Sequence, residues 1–145
     1  MTEAQSEFVE RLDEAFRKHL AIPRRWDYHY VGIKHEYTEA LGHCYEGLFE
    51  NRKTERRLRL SVIGEEHTIL LAIQHTNPPP YDDFDYTSTD HLSIDEAGVR
   101  NDGQTSLEQR IAKCFETFAR AAKSYRKILR GDDWRCTEID WQGMK

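Results

Sequence analysis

The sequence predicts an α+β domain: an antiparallel sheet of four to five strands in meander order, flanked by an N-terminal helix and a long C-terminal amphipathic helix. Three observations carry that expectation. Apolar residues recur at helical spacing near both ends of the chain, over residues 2–20 and again over 106–130. Between them lie short runs that alternate or turn wholly apolar, punctuated by glycine, asparagine and proline. The links between those runs are short and sequential, which favours antiparallel neighbours over crossovers.

A chain of 145 residues with no internal repeat and no low-complexity linker is expected to form one domain over 1–145, its tail at 132–145 docked or mobile. At that length roughly two-thirds of the unfolded surface can be buried, so a true core is possible. Charged residues reach 32% against 38% hydrophobic, but an aromatic content of 11% separates the chain from disordered ones. The formal charge of −5 supplies no global field for nucleic acid or a membrane surface, so such binding has to be local.

Cys44, Cys114 and Cys136 are odd in number and lack CxxC spacing, which argues against a disulfide framework and a cysteine-rich zinc module. The opening stretch MTEAQSEFVE is acidic and lacks the apolar segment of a secretory signal, and no run nears the ~20 apolar residues of a membrane span. A cytoplasmic location without membrane contact is the expectation.

The elements follow in order. Phe8, Val9, Leu12, Ala15, Phe16 and Leu20 make a helical stripe, with acids early and Arg17, Lys18 and His19 late, as the helix dipole prefers. Pro23 stops that helix. Residues 26–37 are aromatic and β-branched and read as a strand. Strict alternation puts Trp26, Tyr28 and Tyr30 on one face and His29, Val31, Ile33 and His35 on the other.

Residues 38–42 are a turn, or a single helical turn closed by glycine; residues 44–50 form a weaker strand, and 51–54 turn again. In Arg56–Ile63, Leu58, Leu60 and Val62 alternate with Arg57, Arg59 and Ser61, the pattern of a strand with one wet face. After a turn at Gly64-Glu65-Glu66, residues 68–74 are apolar on both faces, which predicts a central strand covered on both sides. Pro78, Pro79 and Pro80 end it. An acidic aromatic loop over 81–90 leads to a short strand at 91–95 and a turn at Asn101-Asp102-Gly103. Thr105 with Glu108 fits a capping box opening a helix over 106–130, with Leu107, Ile111, Cys114, Phe115, Phe118 and Ala122 in its stripe and Gly131 beyond its end.

Three groups of residues stand out as partner-binding candidates. The run at 51–59 is strongly basic, and on the wet face of its strand Arg57 and Arg59 can meet phosphates or carboxylates. The last helix carries Arg110, Lys113, Arg120, Lys123, Arg126, Lys127 and Arg130 against only Glu108 and Glu116; Arg120, Lys123 and Lys127 are the chosen contacts. A solvated hairpin and helix face is the plainer account of both. The loop residues Tyr81, Asp82, Asp83, Phe84, Asp85 and Tyr86 set aromatics among acids, a mixture that often has a partner, and they do not fit a calcium loop.

Seven histidines invite a metal reading. His29 and His35 are six strand residues apart, about 20 Å, too far for one ion. His43 and Cys44 point to opposite faces of a strand. Only His35, Glu39 and His43, spaced by four, make ligand pairs, and only if that stretch is helical. Trp26, Tyr28 and Tyr30 are either a stacking platform or an aromatic face packed under a helix. Phosphate loops, nucleophile elbows and dinucleotide fingerprints are absent.

The expected function is therefore a non-catalytic protein-binding domain of adaptor, chaperone or inhibitor type, with no cofactor, no metal and no catalytic residue. A homodimer stands as an option. The alternatives are nucleic-acid binding through the basic hairpin and last helix, and a small metal-assisted hydrolase using His35, Glu39 or His43 with an aspartate of the loop.

Overall fold

The computed structural model of the protein describes residues 1–75, 90–93 and 103–122. Helix α1, Glu3–Arg17, begins at a capping box: Gln5 N donates to Thr2 Oγ1 at 3.1 Å, and Thr2 N donates to Gln5 Oε1 at 2.9 Å. It buries Leu12, Ala15 and Phe16. It ends at Arg17, short of the expected Leu20, in a tighter turn where His19 N donates to the Phe16 carbonyl at 3.0 Å. A separate turn of helix, α2, spans Ala21–Arg24. The Pro23 carbonyl then accepts from both Trp26 and Tyr28 and folds the chain into β1.

Strands β1 (His29–Thr38), β2 (Gly42–Asn51), β3 (Arg56–Ile63) and β4 (Thr68–His75) form an antiparallel meander, so the α+β class and its antiparallel sheet are as expected. The short β5, Asp90–Ser93, runs antiparallel along β4. Each hairpin has a local cause. Residues 39–41 turn with Gly42 at φ 77°, the left-handed position closing a three-residue loop. No helical turn forms there. At the next turn Asn51 Oδ1 accepts from the backbone of Lys53 and Thr54 at 3.1 and 3.3 Å.

The β1 register shifts between Tyr30 and Gly32, a bulge that inserts one residue. That corrects the expected alternation. Beyond Val31 the parity flips, so Tyr30, Ile33 and His35 share the helix-facing side while His29 lies on the other. Trp26, Tyr28 and Tyr30 are not one strand face either: the strand begins at His29, and Tyr28 is fully buried ahead of it.

Helix α3, Leu107–Ala122, packs with α1 on the inner face of the sheet, and its stripe from Leu107 to Ala122 is buried as expected. The continuation to residue 130 lies outside the described residues. Its capping box is one residue later than expected, with Gln109 N donating to Ser106 Oγ at 3.1 Å and Ser106 N to Gln109 Oε1 at 3.0 Å. Glu108 is thereby free to take the Arg11 guanidinium through both carboxylate oxygens, tying α3 to α1.

Phe16 of α1, Phe49 of β2 and Phe115 of α3 meet edge to face, with centroids 5.8 to 6.4 Å apart. Gly47 lets Phe16 approach: a Cβ there would lie 2.5 Å from the ring. The inner face continues with Leu58, Leu60 and Val62 of β3 and Ile69, Leu71 and Ile73 of β4. Ala72, on the opposite face of β4, is also buried, consistent with the central strand the sequence predicts. Two cations expected at the surface are not there: Arg56 and Arg110 are buried. Arg56 is the inner-face partner of Asn51 at the end of β3, and Arg110 lies one turn from the buried Leu107. Among the described residues no helix is long and apolar enough to cross a membrane.

Candidate interaction edge

Of the residues singled out from sequence, the described ones, Arg57, Arg59 and Arg120, are not gathered in one place. Arg57 pairs with Glu50 at 2.9 Å and Arg59 with Glu46 at 3.7 Å on the outer face of the sheet. Lys34 pairs with Glu36 at 2.7 Å on that face. Each of these three outer-face cations thus has a carboxylate beside it, making a ladder of alternating charge. Arg120 is exposed on α3, on the opposite side of the sheet. Tyr81, Asp82, Asp83, Phe84, Asp85, Tyr86, Lys123 and Lys127 lie outside the described residues, as do Cys136 and the tail.

What the fold does create is an open edge. Among the described residues β1 has a neighbour, β2, on one side only. Which backbone groups remain open follows from alternation. Gly64 N donates to the His43 carbonyl, so odd-numbered residues of β2 direct their backbone polar groups to β3 and even-numbered ones to β1. By register, Lys34, Glu36 and Thr38 of β1 answer them through Glu46, Cys44 and Gly42. The N–H and C=O groups of Ile33, His35 and Tyr37 consequently point outward. Val31 and Tyr37 are 57% and 63% exposed along this edge, and Leu41 at its turn is 56% exposed.

The hairpin end of the edge carries a histidine cluster. His35 Nε2 lies 2.9 Å from His43 Nδ1, and His43 Nε2 lies 3.1 Å from Gln5 Nε2. Gln5 Oε1 is already used by Thr2 N, so the Gln5 amide nitrogen is the donor to His43. His43 then carries its proton on Nδ1 and donates to His35, a chain that neutral imidazoles satisfy. His35 also stacks on Tyr45 at 4.7 Å, and Tyr37 leans on His43 at 4.9 Å. Burial, then His43 and the N-terminal amine, holds His35 below its ordinary value. His67 stacks on Phe8 at 4.8 Å and is lowered by burial, then by Arg11 and Arg110.

His35 and His43 therefore meet across a hairpin and not along a helix, which removes the helical basis of the Glu39 ligand pairs. Among the described residues no group of three His, Cys, Asp or Glu is placed to hold a metal. Gly42 was the signal available in the sequence: a three-residue loop closed by glycine sets Tyr37 opposite His43 and His35 diagonal to it. Cys44 is pushed up to about 11 by burial and Glu46, so it stays a thiol at neutral pH.

At the other end of β1 an open groove of about 510 Å³ runs between Asp27, His29, Val31, Glu50, Arg52 and Lys53. It adjoins the junction where Asn51 Nδ2 donates to the Trp26 carbonyl at 3.2 Å. Its rim mixes both charges, so it selects no ligand sign by itself. Compared with known family models, curated proteins and solved structures, the chain matches none.

Proposed function

We propose that this protein is a non-catalytic protein-binding domain that takes up an extended polypeptide segment along the open edge of β1. The observation supporting this reading is the outward set of backbone groups at Ile33, His35 and Tyr37, flanked by exposed Val31, Tyr37 and Leu41. Strand addition draws its affinity from main-chain hydrogen bonds and its selectivity from alternate side chains. Here one face of an added strand meets Ile33 and Tyr37, and the other meets Lys34 and Glu36. The outer-face arginines take a lesser part, because Arg57 and Arg59 already have carboxylate partners.

Tyr37→Pro tests the reading. It removes an outward N–H while leaving the donors of Glu36 and Thr38 to β2. An array of immobilised extended peptides is expected to retain the native protein and lose it on this substitution. Retention unchanged by Tyr37→Pro but abolished by Arg57→Glu would overturn the proposal in favour of the charged face.

A further inference from the structure

The edge of β1 carries a charge pattern that complements itself about His35, with Lys34 before it and Glu36 after it. We infer that its occupant is β1 of a second copy of this chain, paired antiparallel about a twofold axis through His35, so that the two sheets join into one. The inference rests on the reading of β1 as a binding edge and names its partner.

The backbone permits this pairing. A twofold partner has to bring outward groups to outward groups while keeping the two helix-covered faces on one side of the joined sheet. Centring on Lys34, His35 or Glu36 satisfies both conditions, because each matches the odd residues Ile33, His35 and Tyr37 with odd residues of the other copy.

The side chains choose among the three. Centred on Lys34, the two Lys34 ammonium groups face each other. Centred on Glu36, the two Glu36 carboxylates do. Centred on His35, Lys34 of each copy faces Glu36 of the other, twice over, in non-hydrogen-bonded pairs, where cross-strand side chains come closest. The Lys34–Glu36 pair within one strand, 2.7 Å apart, then becomes part of a four-charge row across the seam. On the inner face the same register sets Ile33 against Tyr37 of the other copy, an aliphatic–aromatic cross-strand pair.

Exposure agrees. Val31, Tyr37 and Leu41 are three of the four large hydrophobics exposed among the described residues, Met1 being the other, and all three belong to β1 or its turn. Long exposed edges are normally blunted by charges or bulges. Here the bulge at Val31 confines regular pairing to residues 32–38, and the charges within that span are self-complementary. Of the three central registers, only the one about His35 avoids placing like charges opposite each other, and it also pairs the most residues of that span.

Sedimentation velocity on the full chain, with charge-reversal variants, tests the inference. The native protein is expected to be a dimer whose dissociation constant rises roughly tenfold or more with Lys34→Glu or with Glu36→Lys, since each turns two attractive pairs repulsive. The Lys34→Glu chain mixed with the Glu36→Lys chain is expected to form a heterodimer, because every charge then faces its opposite. This mixture guards against a variant that merely folds poorly, which circular dichroism of each chain checks. A native chain that stays monomeric to roughly 100 µM would sink the inference. So would a dimer indifferent to both reversals, or a mixture that fails to pair. Peptide capture abolished by Tyr37→Pro, alongside a monomeric native chain, leaves the strand-addition reading standing and removes only the second copy. Loss of both removes both.

Discussion

Gly47→Ala is expected to destabilise the fold by about 2–3 kcal/mol, as overpacking of a filled core does. The added Cβ would sit 2.5 Å from one atom of the Phe16 ring and 2.9 Å from another. Phe16 has no free direction in which to retreat. It is completely buried, with Phe49 and Phe115 set edge-on against it and Tyr30 at 6.2 Å. Phe16→Leu alone leaves a partial void and is expected to cost about 1–2 kcal/mol, less than the full truncation of a core phenylalanine. Combined, the two changes should cost less than their sum, since the shorter side chain vacates the space the methyl group needs. Urea titration of the four proteins measures the coupling. Strict additivity would mean that the Phe16 ring does not set the demand for glycine.

Acid is expected to loosen the fold in two separated steps, and the histidines act first. His19, His35 and His67 all sit below their ordinary value of 6.5, in each case chiefly through burial. A group with a depressed folded-state value binds protons more readily when unfolded. Its stabilising contribution is therefore complete above 6.5 and is lost as pH falls through the folded values. Glu108, lowered chiefly by its hydrogen bond from Arg11, acts in the same sense but only below its ordinary value of 4.5. The melting temperature should therefore begin to fall as the pH drops below 6.5 and fall again below pH 4.5.

The first step has a structural address. A proton added to His35 Nε2 meets the Nδ1–H that His43 donates to it, and His43 cannot turn its ring over without losing its bond from the Gln5 amide. Amide exchange in the β1–β2 hairpin should accelerate in the native protein as the pH falls below 6.5. In His35→Gln, whose side chain titrates nowhere in this range, the acceleration should disappear while the later carboxylate step remains. An unchanged profile in that variant would show that the imidazole chain does not carry the first step.

How far the sequence reaches can be judged residue by residue. Phe8, Leu12 and Phe16 of α1, Leu58, Leu60 and Val62 of β3, and the wholly apolar Ile69–Ile73 stretch of β4 were legible because burial writes its period into the chain. The α+β class and antiparallel order followed from those periods and the short turns between them. The β1 edge was less legible. One extra residue at Val31 reverses which side chains face the helices, and its one mark in the sequence is Gly32, a glycine inside a strand pattern, which takes φ 135° at the bulge. The buried Arg56 and Arg110 were likewise read as surface charge, because composition cannot say which cation lies beneath its neighbours.

By itself, then, the amino-acid sequence determined where the chain turns, which strand lies inside and which helical stripes are buried, since each depends on neighbours within a few residues. Only the tertiary structure decided that β1 lies at an edge, that Ile33, His35 and Tyr37 direct their backbone groups outward, and that His35 reaches His43 and through it Gln5. Those relations depend on strand order, register and a bulge. They join groups that the period of any one element leaves unrelated, and the candidate site is made of them.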